Sequence, residues 1–298
     1  MIADWDDLRV FLAVARAESL SGAGRVLKLD AATVHRRIAR LELQVQAPLF
    51  AKGPQGYALT DDGLRLLPHA EQTEAALAGA AEALVGQSGG LTGQIRLGAP
   101  DGCANFVLPQ VISAISDANP ELEVQIVALP RVFNLSRREA DLVISVSRPE
   151  AGRLTVQKLC DYHLHLAAHR DYLARTGTPQ AREDLKKHRF VGYIADMIFD
   201  KELDYLGETG APPVTLASNS MPVQLQWLRA AAGLGIVHDF TLPFAPELVK
   251  VLADDVVLTR SFWLVRHAGD SHVERLNRFA AALSDGVRRE IARLEGLA

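Results

Sequence analysis

Between Asp4 and Glu18, the side chains Trp5, Leu8, Phe11, Leu12 and Ala15 fall at intervals of three and four, the spacing of an amphipathic helix with one buried face. Ser19 and Ser21 interrupt it, and either can cap a shorter helix running to about Leu29, whose Ala23, Val26 and Leu27 would face the first. Asp30 suits the N-cap of a third helix, in which Val34, Ile38, Leu41 and Val45 make the apolar stripe. Its opposite face carries Thr33, Arg36, Arg37, Arg40 and Gln44, with His35 to one side. After Pro48, Leu49 and Phe50 the segment AKGPQGYALT places two glycines and a proline between short apolar ends, which predicts a hairpin with Lys52 at its base.

From Thr60 the pattern lengthens. DDGLRLLPHAEQTEAALAGAAEALVGQ puts Leu64, Leu67, Ala70, Leu77, Ala81 and Leu84 roughly on one stripe of a long helix. Pro68 lies inside it and removes a backbone donor, so a bend or a tolerant packing is expected there. Ala75, Ala76, Ala78, Ala80 and Ala81 leave room for another helix to approach, and SGGLTG reads as a linker. Beyond it the order is strand, helix, strand: QIRLGAP, CANFVLPQVISAISDANP and ELEVQIVAL, followed by the apolar run ADLVISVS. A second block has YHLHLAAH and RFVGYI as strands, TLASNS before a helical MPVQLQWLRAAAGLGIV, and FWLVRH near the end. A last helix has its stripe at Val273, Leu276, Phe279, Ala280 and Leu283. Such alternation predicts an α/β domain with a largely parallel sheet.

At 298 residues, 48% hydrophobic and 23% charged, the chain is long enough for about two domains and needs no covalent staples. Two cysteines, Cys103 and Cys160, are too few for a disulfide framework or a four-cysteine metal site. The acidic start, and the lack of any apolar run of about 18 residues, predict a cytoplasmic protein that does not enter the membrane. The net charge of −4 hides an asymmetry. Residues 25–60 hold six basic side chains (Arg25, Lys28, Arg36, Arg37, Arg40, Lys52) against Asp30 and Glu42, a positive footprint on the small helical module. Three short helices, the last presenting Arg, His and Thr near its start, make the helix-turn-helix pattern; the following hairpin would be a wing beside it.

LRVFLAVARAESLSGAGRVL, then ATVHRRIARLE, then PLF and LTDDG, in this order over residues 5–63, resemble the LysR-type transcriptional regulators. ADLVISV, SNS and AGLGIV extend the resemblance to the whole chain. It implies a winged helix-turn-helix DNA-binding domain (1–60), a linker and dimerisation helix with a hinge (61–92), and an effector-binding domain (93–298) like a periplasmic binding protein. Its lobes would be I (93–160 and 264–298) and II (161–263), the chain crossing at about 160 and returning at about 264. The family's Gln-Pro-x-x-Ser-Arg stretch falls on Ala31, Ala32, Thr33, Val34, His35 and Arg36, where only the arginine matches. His35 or Arg36 toward guanine, and Ala32 or Thr33 toward a thymine methyl, are the expected base contacts. Arg37, Arg40 and Lys52 complete the expected DNA-binding set. The implied partners are double-stranded promoter DNA, a small-molecule effector, RNA polymerase and further copies of the chain as a dimer or dimer of dimers, with no cofactor and no metal.

Ligands of open α/β sheets bind beyond the strand C-termini. The candidates there are Asp101, Gly102 and Cys103, then Ser147 and Arg148, then Tyr193, then Asn219, Ser220 and Met221. Arg131 and Arg148 could pair with a carboxylate, whereas Asp101 would disfavour one unless a donor neutralises it. His163 and His165 share a strand face and, with His169, could hold a metal. Cys103 at a helix start would have a lowered pKa and could sense redox state, or could simply pack. AGLGIVHDF has His238 where a dinucleotide fingerprint needs its third glycine, and no phosphate loop or nucleophile elbow occurs, so no enzyme is expected. Two rivals stay open: a solute-binding or catalytic α/β protein with a helical appendage, and a DNA-binding protein whose lobes serve only assembly.

Overall fold

The computed structural model describes residues 4–53, 56–85, 90–128, 140–149, 152–207, 209 and 211–298. These form two compact units, one of residues 4–85 with His267–Asn277, the other of residues 90–128, Ala140–Arg266 and Arg278–Ala298. Among the described residues no helix is long and apolar enough to cross a membrane.

The N-terminal unit opens with three capped helices, α1 (Trp5–Ala17), α2 (Leu20–Leu27) and α3 (Ala31–Val45). Asp4, Ser19 and Asp30 are the N-caps, accepting from the backbone N–H of Asp6 (2.9 Å), Gly22 (3.0 Å) and Thr33 (2.8 Å). Each helix ends on a residue in the left-handed region, Glu18, Lys28 and Gln46, an unusual conformation for side chains with a Cβ. The stripes then meet: Leu8, Phe11, Leu12 and Val14 of α1 pack with Ala23 of α2 and Val34, Ile38 and Leu41 of α3. Val26, expected to face α1, instead points to solvent at 75% exposure; α2 turns Ala23 and Leu27 inward.

A carboxylate lies inside this module. The Asp7 side chain is fully buried, and Arg40 meets it with Nε at 2.5 Å and a second guanidinium nitrogen at 2.6 Å while also reaching Asp4 at 2.8 Å. Arg37 lies 3.7 Å from Asp7 and 3.5 Å from Asp6. These pairs fasten α3 across α1 through charges, at a point where an unpaired carboxylate would be costly.

The expected hairpin is β1 (Phe50–Gly53) and β2 (Gly56–Leu59), antiparallel, with Lys52 opposite Tyr57; Pro54 and Gln55 lie outside the described residues. Gly56 is required: its φ is +122°, and a Cβ there would come within 2.4 Å of the Glu18 carbonyl oxygen, which accepts from Tyr57 N–H at 2.9 Å. The Glu42 carboxylate ties the other end of the hairpin to α3, accepting from Leu49 N–H (2.7 Å) and Phe50 N–H (3.2 Å). α4 (Asp61–Val85) runs through Pro68, and its Leu66, Leu67 and Ala70 join the module core. Leu64 and Leu77, expected on one stripe with Leu67 and Ala70, are exposed. Glu71, buried on α4, pairs with buried His267 at 3.2 Å.

The second unit holds β3 (Gly93–Ala99), α5 (Asp101–Phe106), α6 (Leu108–Ala118), β4 (Leu122–Ala128), β5 (Leu142–Ser145), β6 (Leu154–His169), α7 (Arg170–Thr176), β7 (Phe190–Gly192), β8 (Leu216–Ala217), α8 (Met221–Arg229), β9 (Leu234–His238), β10 (Leu248–Lys250), most of β11 (Val257–His267) and most of α9 (Glu274–Glu295). The strand order is β4-β3-β5-β11-β6-β9-β7-β8, with β10 beside β6. The sheet is less parallel than expected. Two parallel clusters, β4-β3-β5 and β9-β7-β8, are joined through the long strands β6 and β11, which run antiparallel to their neighbours β9 and β5. Positions 160 and 264 fall inside those two strands. The AGLGIV stretch read as helix is also corrected: α8 ends at Arg229, Ala231 takes a left-handed φ of 55°, and Leu234–His238 is a wholly buried strand.

A cluster of rings fills the space between strands. Tyr162 of β6 stacks on Phe262 of β11 at 4.2 Å and on His238 of β9 at 5.5 Å, with Phe240 edge-on. Burial pulls His238 down to about 3, and its Nδ1 has no hydrogen-bond partner, so the ring packs as a neutral aromatic.

Two measurements test these contacts. Arg40→Ala should speed amide hydrogen exchange along α1 and α3, whereas Arg36→Ala should leave it unchanged; unaltered protection in Arg40→Ala would mean that the Asp7 pair does not hold the helices together. For His238 the folded pKa lies below the unfolded value, so the unfolded chain takes up a proton first. Stability is complete above about pH 6.5 and falls as pH drops toward 3. Between about pH 6.5 and about pH 4.5 the native chain should lose roughly 2–3 kcal/mol more than His238→Phe in urea unfolding, and parallel pH profiles would reject this role.

Candidate functional site

Asp30 organises the start of α3. One carboxylate oxygen accepts from Thr33 N–H and the other from the Thr33 hydroxyl at 2.7 Å, which holds the Asp30 carboxyl below its usual range. The Thr33 hydroxyl in turn accepts from an Arg36 guanidinium nitrogen at 2.8 Å. Ala31, Ala32, His35 and Arg36 are exposed and Thr33 is half-buried, so these five line the outer face of the first two turns. Such a face has two small residues to admit a base edge, and a guanidinium fork that can donate twice to a guanine. Arg37 and Arg40 were expected on the same face. The structure commits both guanidinium groups to Asp6, Asp7 and Asp4 instead, although the Arg40 side chain remains half exposed. Lys52 is exposed on β1.

In the second unit, Asp101 and Met221 are brought together from residues 120 apart. An Asp101 carboxylate oxygen accepts from Met221 N–H at 3.0 Å, at the first turn of α8, and the Ser220 side chain also bonds to it. The donors that this acid needs are therefore the chain's own. Burial still raises the Asp101 carboxyl, against those hydrogen bonds. α5 and α8 approach closely at Gly102, where a Cβ would lie 2.5 Å from the terminal methyl of Met221, the movable end of that side chain. Ser218 braces this corner: its hydroxyl accepts from Ser220 N–H (3.1 Å) and its carbonyl accepts from the Gln224 amide (2.8 Å). Asn219 is half-buried between them.

The other expected residues have separate fates. Cys103 is fully buried and burial pushes its thiol up, not down, because α5 presents it to the interior. Cys160 is raised to about 11, also by burial. Ser147 donates its hydroxyl to Asp200, and Arg148 is exposed. Tyr193 sits edge-on to Tyr205 at 5.8 Å. Arg131 lies outside the described residues. The three histidines do not converge: His163 bonds Glu295 (2.9 Å), His165 bonds Asp239 (2.8 Å), and His169 accepts from Asp171 N–H (3.0 Å).

Sequence reading missed Gln224 and the segment 195–206, which together with Val214, β7 and β9 line a partly open pocket of about 150 Å³. Short 3-10 turns at Ala195–Met197 and Lys201–Leu203 carry this segment, with no helical or strand periodicity to betray it. The clue available was the apolar run Met197, Ile198 and Phe199 followed by Leu203, Tyr205 and Leu206, at spacings that fit neither a helix nor a strand.

Residues 5–64 match the family described as bacterial regulatory helix-turn-helix protein, lysR family, and residues 88–288 match the LysR substrate binding domain. The HTH-type transcriptional regulator DgdR of Burkholderia cepacia is 36% identical over 151 residues, covering 49% of this chain and 50% of that protein, so the match spans half of that relative's length. Among solved structures, a full-length OxyR variant from Pseudomonas aeruginosa has a similar fold (TM-score 0.72, 15% identity, 97% of this chain and 95% of that one). So does full-length LysG from Corynebacterium glutamicum with bound effector Arg (TM-score 0.65, 15% identity, 96% of this chain and 99% of that one). A winged three-helix module and a two-lobed α/β unit, each matched over nearly its whole length, place the chain in the LysR family.

Proposed function

We propose that the chain is a sequence-specific DNA-binding transcriptional regulator, and not an enzyme, whose DNA binding or activation is modulated by a small molecule taken up between two α/β lobes. The observation that carries this is the start of α3, where Ala31, Ala32, His35 and Arg36 are exposed beside Thr33 while the neighbouring Arg37 and Arg40 are paired with Asp4, Asp6 and Asp7. In this reading Ala31, Ala32, Thr33, His35 and Arg36 meet base edges, Lys52 of the wing meets phosphate, and Arg37 and Arg40 act chiefly by fixing the reading helix. The reading domain comprises residues 1–60 and the linker residues 61–92, with the exposed Leu64 and Leu77 of α4 offered to a second copy in a dimer or dimer of dimers. The effector domain comprises residues 93–298, lobe I being 93–160 with 264–298 and lobe II 161–263. Asp101, Gly102, Ser147, Arg148, Tyr193, Asn219, Ser220 and Met221 are assigned to its cleft. Cys103 stands behind them as a packed residue.

The test is binding of the purified chain to DNA from upstream of its own gene, against scrambled DNA of equal length, over a salt series. Preference for the native DNA should weaken with salt. Arg36→Ala should reduce the preference by about tenfold or more, without loss of helix content. Lys52→Ala should weaken binding to both DNAs alike and flatten the salt dependence. Equal affinity for both DNAs, indifferent to Arg36→Ala, would count against the reading.

A further inference from the structure

Arg36 differs from the other two arginines of α3 in where its partners come from. Arg37 and Arg40 reach the acids at the start of α1, whereas Arg36 is bonded three residues back on its own helix, to the Thr33 hydroxyl at 2.8 Å. That hydroxyl donates in turn to one Asp30 carboxylate oxygen at 2.7 Å, while the other oxygen accepts from Thr33 N–H at 2.8 Å. The direction of this chain is fixed by the groups in it. An ionised carboxylate only accepts, so the single Thr33 hydroxyl proton points at Asp30 and the oxygen's lone pairs are left for the guanidinium, which only donates.

The guanidinium fork stays usable. Its bonded Nη2 carries one hydrogen on each of two edges, so spending one on Thr33 leaves the other edge with both of its parallel donors. Such an edge matches the paired O6 and N7 acceptors of guanine, and it matches two phosphate oxygens equally well. Charge decides between them. The Asp30 carboxyl is held below its usual range first by its Thr33 hydrogen bonds and then by the Arg36 charge, so the two ions act on each other. An exposed carboxylate at this point repels a phosphate and offsets part of the Arg36 charge, but meets no net charge at a base edge.

We infer that Asp30 and Thr33 are positioning residues for sequence reading: through the Thr33 hydroxyl they hold the Arg36 guanidinium over the outer face of α3 as a base reader and withhold it from phosphate. This rests on the reading of the module as a sequence-specific DNA binder, and adds two groups that set its specificity through a third.

Three substitutions separate this role from a merely structural one. Asp30→Asn keeps a good N-cap, because an amide oxygen still accepts from Thr33 N–H, but it sets an N–H donor against the Thr33 hydroxyl and so removes the acceptor that orients it. Thr33→Val removes the hydroxyl and keeps the methyl and the shape, and Thr33→Ser keeps the hydroxyl. With DNA from upstream of the chain's own gene against scrambled DNA, Asp30→Asn and Thr33→Val should each lower the native preference at least about threefold, and Thr33→Ser should retain it. Thr33→Val added to Arg36→Ala should cost no more than Arg36→Ala alone. Asp30→Asn should also bind scrambled DNA more tightly, since a negative charge is gone, which is opposite to the effect of a lost helix cap. Without DNA, the NMR order parameter of Arg36 Nε–H should exceed that of exposed Arg25 and fall toward it in Thr33→Val.

A preference unaltered by Thr33→Val, an equal loss in Thr33→Ser, weaker binding of both DNAs by Asp30→Asn, or a native Arg36 as mobile as Arg25 would each overturn the inference. The NMR arm contains no DNA, so the two failures differ. A held guanidinium with equal native affinity for both DNAs removes the regulator reading on which this rests, whereas a mobile one with a clear native preference removes this inference alone.

Discussion

A carboxylate shut away from water must be met by a cation held in place, and Asp7 imposes that demand on the whole N-terminal unit. It is satisfied by Arg40 with two nitrogens, with Arg37 behind. Because both arginines belong to α3, the demand fixes the rotation of that helix on α1 and thereby decides which of its side chains face outward. The same stretch of sequence thus divides its basic residues by role. Arg36, one position before Arg37, escapes the acidic cluster and instead leans on Thr33, whose hydroxyl is itself oriented by the Asp30 cap. A cap residue therefore reaches, through two hydrogen bonds, a guanidinium on the outer face of the helix.

In the second unit the corresponding constraint is geometric. β6 and β11 are long enough to serve both parallel clusters, so every short strand is positioned by its distance from them. The ring stack of Tyr162, His238 and Phe262 lies along these strands and fixes their spacing, which explains why a histidine is tolerated there as an uncharged ring. Asp101 then joins the start of α5 to the start of α8, accepting from Met221 N–H across 120 positions of sequence.

Much of this was legible in the sequence, because the N-terminal unit is built from periodicity and caps. Asp4, Ser19 and Asp30, and the stripes on α1 and α3, say where helices begin and which faces are buried. What periodicity does not carry is the choice among exposed arginines. Asp4, Asp6 and Asp7 stand together at a helix start, and nothing in their spacing reveals that one of them is buried. Likewise Asp101 could be placed at the end of a strand, but its partner Met221 is 120 residues away, and only the fold brings them together. The pocket segment was opaque for a different reason: its apolar residues are spaced by the walls they line and not by a helix or a strand.

The separation of Ser145 from its ladder partner Trp263 also has a consequence for synthesis. The three-helix module and its hairpin contain all the contacts of their own core within the first 70 residues, so they can fold as soon as they leave the ribosome. β5 must wait for β11, and Glu71 for His267, until nearly the whole chain has been translated. A nascent chain in that interval carries a folded three-helix module on an unfinished α/β unit. Its earliest unprotected apolar surface is β3, β4 and β5, strands made long before the partner that covers them.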